Sequence, residues 1–168
     1  MLWQPAYVAL GSNLDDPQRQ VEKAFLELAG LADTRLVLRS RLWRSAPMGP
    51  GDQPDFVNAV AGLLTQLEPR AFLESLRGVE RRMGKVEPAV RWGPRLIDLD
   101  LLLLGDARCD EPGLRLPHVG LHQRNFVLYP LAEIAPMLWV PGLGRVCRLL
   151  DGITGDGLEP LVARNTGA

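Results

Sequence analysis

Two amphipathic helical segments, each opened by a proline, are the feature that most limits how this 168-residue chain can fold. The first has Pro17 after the candidate cap Asp16, and Gly30 closes it. The second runs from Pro69 to Gly84. Proline suits the first turn of a helix, and glycine suits the residue after its end. The apolar residues at helical spacing are Val21, Ala24, Phe25 and Leu28 in the first segment, and Phe72, Leu73, Leu76, Val79 and Met83 in the second. Each helix therefore has one face to bury against another layer.

Apolar or alternating segments flank these helices and predict four strands. The predicted strands are residues 6–10, 35–45, 55–65 and a segment that holds Asp98 and Asp100. The order strand, helix, strand, strand, helix, strand predicts an α+β fold with a ferredoxin-like βαββαβ core, in which helices pack on one face of an antiparallel sheet. A short hairpin and further helices are predicted after Gly105. Residues 1–168 are predicted to form one domain, in which residues 152–168, with four glycines, fray.

Composition places the chain among ordinary globular proteins. Hydrophobic residues make up 46% and charged residues 23%, and the net charge is −1, so no overall field favours nucleic acid or a membrane surface. No apolar run approaches the length of a transmembrane helix, and the N-terminus lacks the basic start of a signal peptide. Cys109 and Cys147 are isolated, which predicts reduced cysteines in a cytoplasmic protein.

A pair of carboxylates begins the fourth predicted strand. Asp98 and Asp100 are two residues apart, so on a strand they point to the same face and repel each other. Magnesium ions would compensate that repulsion, because Mg²⁺ needs only one or two protein carboxylates beside water and phosphate ligands. The alternative is that Arg91 and Arg95 simply neutralise the two aspartates.

The segment before this strand is basic. From Arg77 to Arg95 there are six basic and two acidic residues, a local charge of +4. Such a patch suits a small polyanion better than a nucleic acid duplex. For Arg81 and Arg82 a solvated helix face is the simpler interpretation.

Four segments, in order, closely resemble the 6-hydroxymethyl-7,8-dihydropterin pyrophosphokinase family. They are Gly11-Ser12-Asn13, residues 49–58, residues 91–102 (RWGPRLIDLDLL) and residues 116–128. The family transfers the β,γ-diphosphate of ATP to the hydroxymethyl group of the pterin and releases AMP, in folate biosynthesis, and it has the ferredoxin-like α+β fold. The resemblance therefore implies an enzyme with ATP as co-substrate and two Mg²⁺ ions, which we expect to be monomeric.

The resemblance also implies roles for single residues. Asp98 and Asp100 would bind the two Mg²⁺ ions, and with Arg91 and Arg95 they form the expected catalytic set. The expected ATP-binding residues are Leu73, Glu80, Lys85, Arg91, Trp92, Arg95, Leu101, Arg115, His118 and Arg124. The expected pterin-binding residues are Ser45, Ala46, Met48, Gly49, Phe56, Asn58, Trp92, Asp98 and Phe126, with Phe56 and Phe126 stacking on the two faces of the ring.

The chain departs from the family pattern at several positions. Glu87 lies in the basic loop where some relatives carry arginine, which puts a phosphate contact there in doubt. Phe56 lacks the hydroxyl of a frequent tyrosine. Gly113 and Val119 replace polar nucleotide contacts of some relatives, and Arg115 is a candidate substitute.

Two other functions are compatible with parts of the sequence. A ferredoxin-like module could bind a small molecule for regulation without catalysis, although it would not need paired carboxylates beside a basic loop. An ordinary kinase would give ADP as product. The chain has no G-x-x-x-x-G-K-[ST] motif, which excludes only the commonest kind of phosphate-binding loop.

Overall fold

The computed structural model describes residues 2–47, 49, 51–86 and 93–162. The strands are β1 (Gln4–Ser12), β2 (Thr34–Arg39), β3 (Trp43–Ser45), β4 (Phe56–Thr65), β5 (Asp98–Leu104), β6 (Cys109–Glu111), β7 (Leu114–Leu116), β8 (Trp139–Val140), β9 (Gly144–Arg145) and β10 (Leu158–Pro160). The helices are α1 (Pro17–Ala29), α2 (Pro69–Arg82), α3 (Asn125–Ile134) and α4 (Val146–Leu149), and a 3₁₀ turn follows at Leu150–Gly152.

The main sheet is antiparallel and has the strand order β10-β3-β4-β1-β5, with β2 also paired to β4. Together with α1 and α2 this order gives the predicted βαββαβ arrangement and confirms the α+β class. The hairpin β6-β7 and the helices after it confirm the prediction for the C-terminal part.

The segment 35–45, predicted as one strand, forms two. At the break, the backbone N–H of Ser40 donates to the carbonyl of Val60, while the hydroxyl of Ser40 accepts from the N–H of Val60. A side chain thus replaces the backbone carbonyl in the ladder, so β2 ends and β3 begins again at Trp43.

Two apolar layers cover the two faces of the sheet. The predicted faces of α1 and α2 pack on one side, where Phe25, Phe72 and Leu76 are fully buried. On the other side α3 packs on β4, with Leu128 and Leu131 buried. The expectation that helices cover one face holds for α1 and α2, whereas α3 covers part of the opposite face.

One local prediction held only in part, and another was wrong. Asp16 is at the cap position of α1, but its φ of 61° is left-handed and its side chain makes no capping hydrogen bond among the described residues. Residues 158–160, predicted to fray, form β10 on β3, and Leu161 N–H donates to Leu42 at 2.8 Å. The preceding glycines serve a turn, in which Leu158 N–H donates to Gly155. Residues 163–168 lie outside the described part of the chain.

None of the helices in the described ranges combines the length and the hydropathy of a membrane-spanning segment.

Candidate active site

A cavity of about 520 Å³ opens on the sheet face that carries α3. Its walls are the ends of β1, β4 and β5, the first turn of α3 and the loops beside them. Its lining includes most of the described residues predicted to bind substrates: Ser45, Ala46, Gly49, Phe56, Asn58, Glu80, Lys85, Arg95, Asp98, Asp100, His118, Arg124 and Phe126.

The floor of the cavity follows from the register of three strands. Gly11 on β1 pairs with Asn58 on β4 and with Asp98 on β5. Cross-strand partners share a face of the sheet, so these three residues form one row. Ala9 and Asp100 pair in the next row of the same face. Period-two alternation therefore places the two carboxylates together, as the sequence predicted.

Small residues on β1 keep this floor open. A Cβ atom on Gly11 would lie 3.4 Å from Oδ1 of Asn58 and 3.9 Å from Cδ1 of Phe56. Asn58 and Asp98 are separated by two strand spacings, about 10 Å. An aromatic and amide region is thereby joined to a carboxylate region across Gly11.

Asp98 is surrounded by positive charge. Its Oδ1 atom accepts from Nζ of Lys85 at 2.8 Å and from the guanidinium of Arg95 at 3.3 Å. Burial lowers the pKa of the Lys85 ammonium, but hydrogen bonds to Asp98 and Glu80 outweigh burial, and the pKa lies above its usual value. Lys85 is therefore a protonated cation at neutral pH.

Glu80, on α2, binds the cations next to Asp98. Its side chain is 3% exposed and accepts from Arg77, from Nζ of Lys85 at 2.8 Å and from the backbone N–H of Leu99 at 3.0 Å. Arg77 also donates to the carbonyl of Leu99. One buried carboxylate thus fixes two cations on the edge of β5, and charge-assisted bonds of this kind are stronger than neutral ones.

Asp100 and His118 both line the cavity, and the charge of each acts on the other. Burial raises the pKa of Asp100; the charge of His118 opposes this shift, and the charge of Asp98 adds to it. Burial lowers the pKa of His118, Asp100 opposes that shift, and Arg124 adds to it. Nδ1 of His118 accepts from the N–H of Gly120 at 3.0 Å. A neutral imidazole bonded in this way carries its proton on Nε2, which can act as a donor.

The opposite end of the cavity is aromatic. Phe56 begins β4 and pairs with Ser45, and Phe126 lies in the first turn of α3. Asn58 is buried, and its amide donates to Oγ of Ser45 at 2.7 Å. Both rings are partly exposed and line the cavity, so a flat ligand could contact both of them.

Asn13 joins the loops of the two ends. Its Oδ1 atom accepts from the N–H of Arg95 at 2.7 Å, and its amide donates to the side chain of Gln53 and to the carbonyl of Pro54, each at 3.1 Å. Its own N–H donates to the carbonyl of Arg95. Asn13 is 1% exposed, so the loop before β4 and the loop before β5 are held against one buried side chain.

Some predicted site residues lie elsewhere. Leu73 and Leu101 are buried in the core between the sheet and the helices α1 and α2, because Leu101 points away from the face of Asp100. Arg115 is exposed on the hairpin β6-β7 and pairs with Asp110 at 3.1 Å. Three predicted site residues lie outside the described part of the chain: Met48, Arg91 and Trp92. Glu87, where the phosphate contact was in doubt, also lies outside it.

The structure also adds cavity residues that the sequence did not single out for the site. Arg77 lines the cavity, although it was counted in the basic patch. Its spacing of three residues from Glu80 on a helix was the signal that could have linked the two. Asn13 does not line the cavity; its segment was part of the family resemblance, but its contacts to two distant loops are visible only in the structure.

The donor set fits Mg²⁺. Asp98 and Asp100 offer hard oxygen ligands on one face, and phosphates and water can complete the shell. In the described ranges, no group of three or more His, Cys, Asp or Glu side chains is placed to hold a metal ion.

The antiparallel α+β fold carries a cleft in which carboxylates and cations lie next to an aromatic pocket. Such a cleft suits an enzyme that brings a phosphate-bearing substrate to a flat ring. Residues 7–136 match the profile of 7,8-dihydro-6-hydroxymethylpterin-pyrophosphokinase (HPPK), and the chain belongs to this family of enzymes.

Individual relatives support the same family assignment. A 2-amino-4-hydroxy-6-hydroxymethyldihydropteridine pyrophosphokinase of Pseudomonas aeruginosa is 46% identical over 158 residues, which are 94% of this chain and 97% of the relative. The enzyme of the same name from Haemophilus influenzae is 45% identical over 136 residues, covering 81% of this chain and 84% of the relative.

The fold is shared with more distant proteins. A crystal structure of a Plasmodium falciparum HPPK-DHPS triple mutant with pteroate superposes with a TM-score of 0.76 at 12% identity, and covers 96% of this chain. This chain spans 47% of the Plasmodium chain.

Proposed function

We propose that this enzyme transfers the β,γ-diphosphate of ATP to the hydroxymethyl group of 6-hydroxymethyl-7,8-dihydropterin and releases AMP, as a step of folate biosynthesis. The observation that carries the proposal is the row Asn58, Gly11 and Asp98, which joins an aromatic pocket to a carboxylate and cation cluster on one floor. The transfer requires the two binding regions to be adjacent, because the acceptor hydroxyl of the pterin must reach the β-phosphorus of ATP.

The cationic end is proposed to bind the ATP phosphates. Arg95, Lys85 and Arg124 line that end, and arginine suits phosphate because its guanidinium can bind two oxygens at once. His118 offers a donor on Nε2 next to Asp100. Arg91 and Trp92 stay predicted partners, and Arg115 stays a predicted contact from the hairpin.

The aromatic end is proposed to bind the pterin. Phe56 and Phe126 would stack on the ring, and the amide of Asn58 matches an edge that carries both donors and acceptors. Ser45 positions that amide, and Ala46 and Gly49 line the wall. Met48 is a predicted contact to the ring edge.

Catalysis would rest on position and charge. Diphosphate transfer requires little covalent chemistry from the protein, so rate comes from alignment and from stabilising charge at the transferring group. Two Mg²⁺ ions at Asp98 and Asp100 would neutralise phosphate charge. Asn13 holds the backbone N–H of Arg95, and the guanidinium of Arg95, 3.3 Å from Asp98, would add positive charge near the transferring group.

We also propose that the enzyme works as a cytoplasmic monomer. The described residues proposed to bind the two substrates come together within one chain, so the reaction does not require residues from a second copy. Cys109 and Cys147 are free thiols, as is usual in a reducing compartment.

Phosphorus NMR tests the reaction directly. The protein is incubated with Mg²⁺, ATP and 6-hydroxymethyl-7,8-dihydropterin, and AMP and a pterin diphosphate are expected to grow in equal amounts. ADP with a pterin monophosphate would instead identify an ordinary kinase. Binding of the pterin without any product would identify a regulatory module.

Replacing Phe56 or Phe126 by alanine is expected to weaken pterin binding at least about tenfold, because a buried phenyl ring contributes roughly 1.5–3 kcal/mol. Binding of an ATP analogue should change much less, since the rings lie at the other end of the cavity. Calorimetric titration of each variant with both ligands measures this selectivity. Equal losses for the two ligands would assign the rings to the core.

A further inference from the structure

The end of α2 fixes the position of Lys85. Gly84 has a φ of +87°, its N–H donates to the carbonyl of Arg81, and the N–H of Lys85 donates to the carbonyl of Glu80. These two bonds form a Schellman motif, which favours glycine because the left-handed conformation has no Cβ penalty there. The backbone of Lys85 is therefore folded back onto the residue whose carboxylate its side chain contacts.

The side chain of Lys85 joins two carboxylates. Nζ lies 2.8 Å from Oε2 of Glu80 and 2.8 Å from Oδ1 of Asp98, and the side chain is 12% exposed. Glu80 is 3% exposed and Asp98 is 25% exposed. The contact to Glu80 is thus the buried, fixed one, while the contact to Asp98 faces the cavity.

Lys85 and a divalent cation compete for the carboxylate of Asp98. A hard cation needs the lone pairs of the carboxylate oxygens, and Oδ1 already accepts from Lys85 and from Arg95. A metal ion on either oxygen of Asp98 would still lie only a few ångströms from Nζ of Lys85, and two cations at that separation repel each other. Binding of a metal at Asp98 therefore favours a longer or broken contact to Lys85.

A nucleotide supplies Lys85 with another partner. An ammonium group has three donors on a flexible stem, so Nζ can keep its bond to Glu80 while another proton turns from Asp98 to a phosphate oxygen. In the same movement Asp98 becomes free to bind a cation. Loss of the contact to Asp98 is offset by the contact to phosphate, but no such offset exists for a metal ion that arrives alone.

We propose that Lys85 is a tethered counter-ion that competes with divalent cations for Asp98 and moves to the phosphates when the nucleotide binds, with Glu80 as its permanent anchor. The second half of this proposal rests on the proposed function. The consequence is that the site resists a bare metal ion and accepts the metal together with its nucleotide. Removal of the Lys85 charge should therefore change the two affinities in opposite directions.

The test compares Lys85→Met with the native protein. Mn²⁺ is titrated without nucleotide and followed by the electron paramagnetic resonance signal of the free ion. The variant is expected to bind Mn²⁺ about tenfold more tightly, because a hydrogen bond to a charged group commonly contributes that factor. An ATP analogue with a methylene bridge between its α- and β-phosphorus atoms is then titrated with Mg²⁺ by calorimetry, and the variant is expected to bind it at least about tenfold more weakly.

Two controls separate competition from a general loss of charge. Arg77→Met removes a cation that contacts Glu80 and acts on Asp100 only through its charge, so it measures lost charge without a lost contact to Asp98, and it should raise the affinity for Mn²⁺ much less than Lys85→Met does. Lys85→Arg keeps the charge and should behave like the native protein in the Mn²⁺ titration. Lys85→Gln is a second neutral variant, and circular dichroism checks that each variant is folded.

The outcomes are distinct. Unchanged or weaker Mn²⁺ binding in both neutral Lys85 variants, or an equal gain in Arg77→Met, would overturn the competition at Asp98. Tighter Mn²⁺ binding with unchanged analogue binding would overturn the movement to phosphate. If the native protein did not bind the analogue at all, the proposed function would fail, while the Mn²⁺ titration would still decide on the competition.

Discussion

Asp98→Asn and Asp100→Asn are each expected to lower turnover at least about 10²-fold, the scale of removing one transition-state electrostatic contact. The two carboxylates share one face of β5 at the floor of the cavity, and each substitution removes a charged metal ligand. Steady-state rates at saturating Mg²⁺ measure the effect. Near-normal turnover in both variants would show that the pair does not hold the catalytic metal.

The free energy of unfolding serves as the control, because the two variants should differ in it. Asp98→Asn weakens the charge-assisted bonds from Lys85 and Arg95 and should lower stability by about 1 kcal/mol. Asp100→Asn removes a carboxylate whose pKa is raised by burial, so stability should stay the same or rise. Loss of activity with a retained fold then assigns both residues to the chemistry.

The parts of the fold that the sequence predicted are those with strong local periodicity. The apolar stripes of α1 and α2 identify these segments as helices and show which face each helix buries. The apolar run of β5 identifies that segment as a buried strand. The split between β2 and β3 depends on one hydroxyl, that of Ser40, replacing a carbonyl in the ladder. The pairing of β10 with Trp43 joins segments more than 100 residues apart, and a short strand of that kind carries no local signal.

In the candidate site, too, local spacing predicted some features, and others depend on the tertiary structure. The shared face of Asp98 and Asp100 follows from the period of a strand, and the same period places Leu101 in the opposite core. The contacts of Lys85 depend on a left-handed turn at Gly84 and on the rotamer of a long side chain, which spacing alone does not determine. Asn13 joins loops 40 and 82 residues away, so its role became visible only with the tertiary structure.

The cavity carries a balance of charge rather than a single sign. Among the described residues that line it, the carboxylates of Glu80, Asp98 and Asp100 occur together with the cations Arg77, Lys85, Arg95 and Arg124. A purely cationic pocket would hold phosphate but repel Mg²⁺, and a purely acidic one would do the reverse. The mixed cluster can accept both, because Asp98 has a cation to exchange while Glu80 holds Arg77 and Lys85 in place.

Glu80→Ala is therefore expected to give the largest loss of stability among these variants, about 3–5 kcal/mol, the scale of breaking a buried ion pair. It leaves the N–H of Leu99 without its acceptor in a fully buried position and removes the carboxylate partner of Arg77 and Lys85. Urea denaturation at neutral pH measures the change. Glu80→Gln keeps an acceptor for Leu99 and should lose less, and Glu27→Ala, which breaks the exposed pair with Arg82, should lose less than about 1 kcal/mol. If Glu80→Ala cost no more than Glu27→Ala, Glu80 could not be the anchor on which the cationic side of the cavity is built.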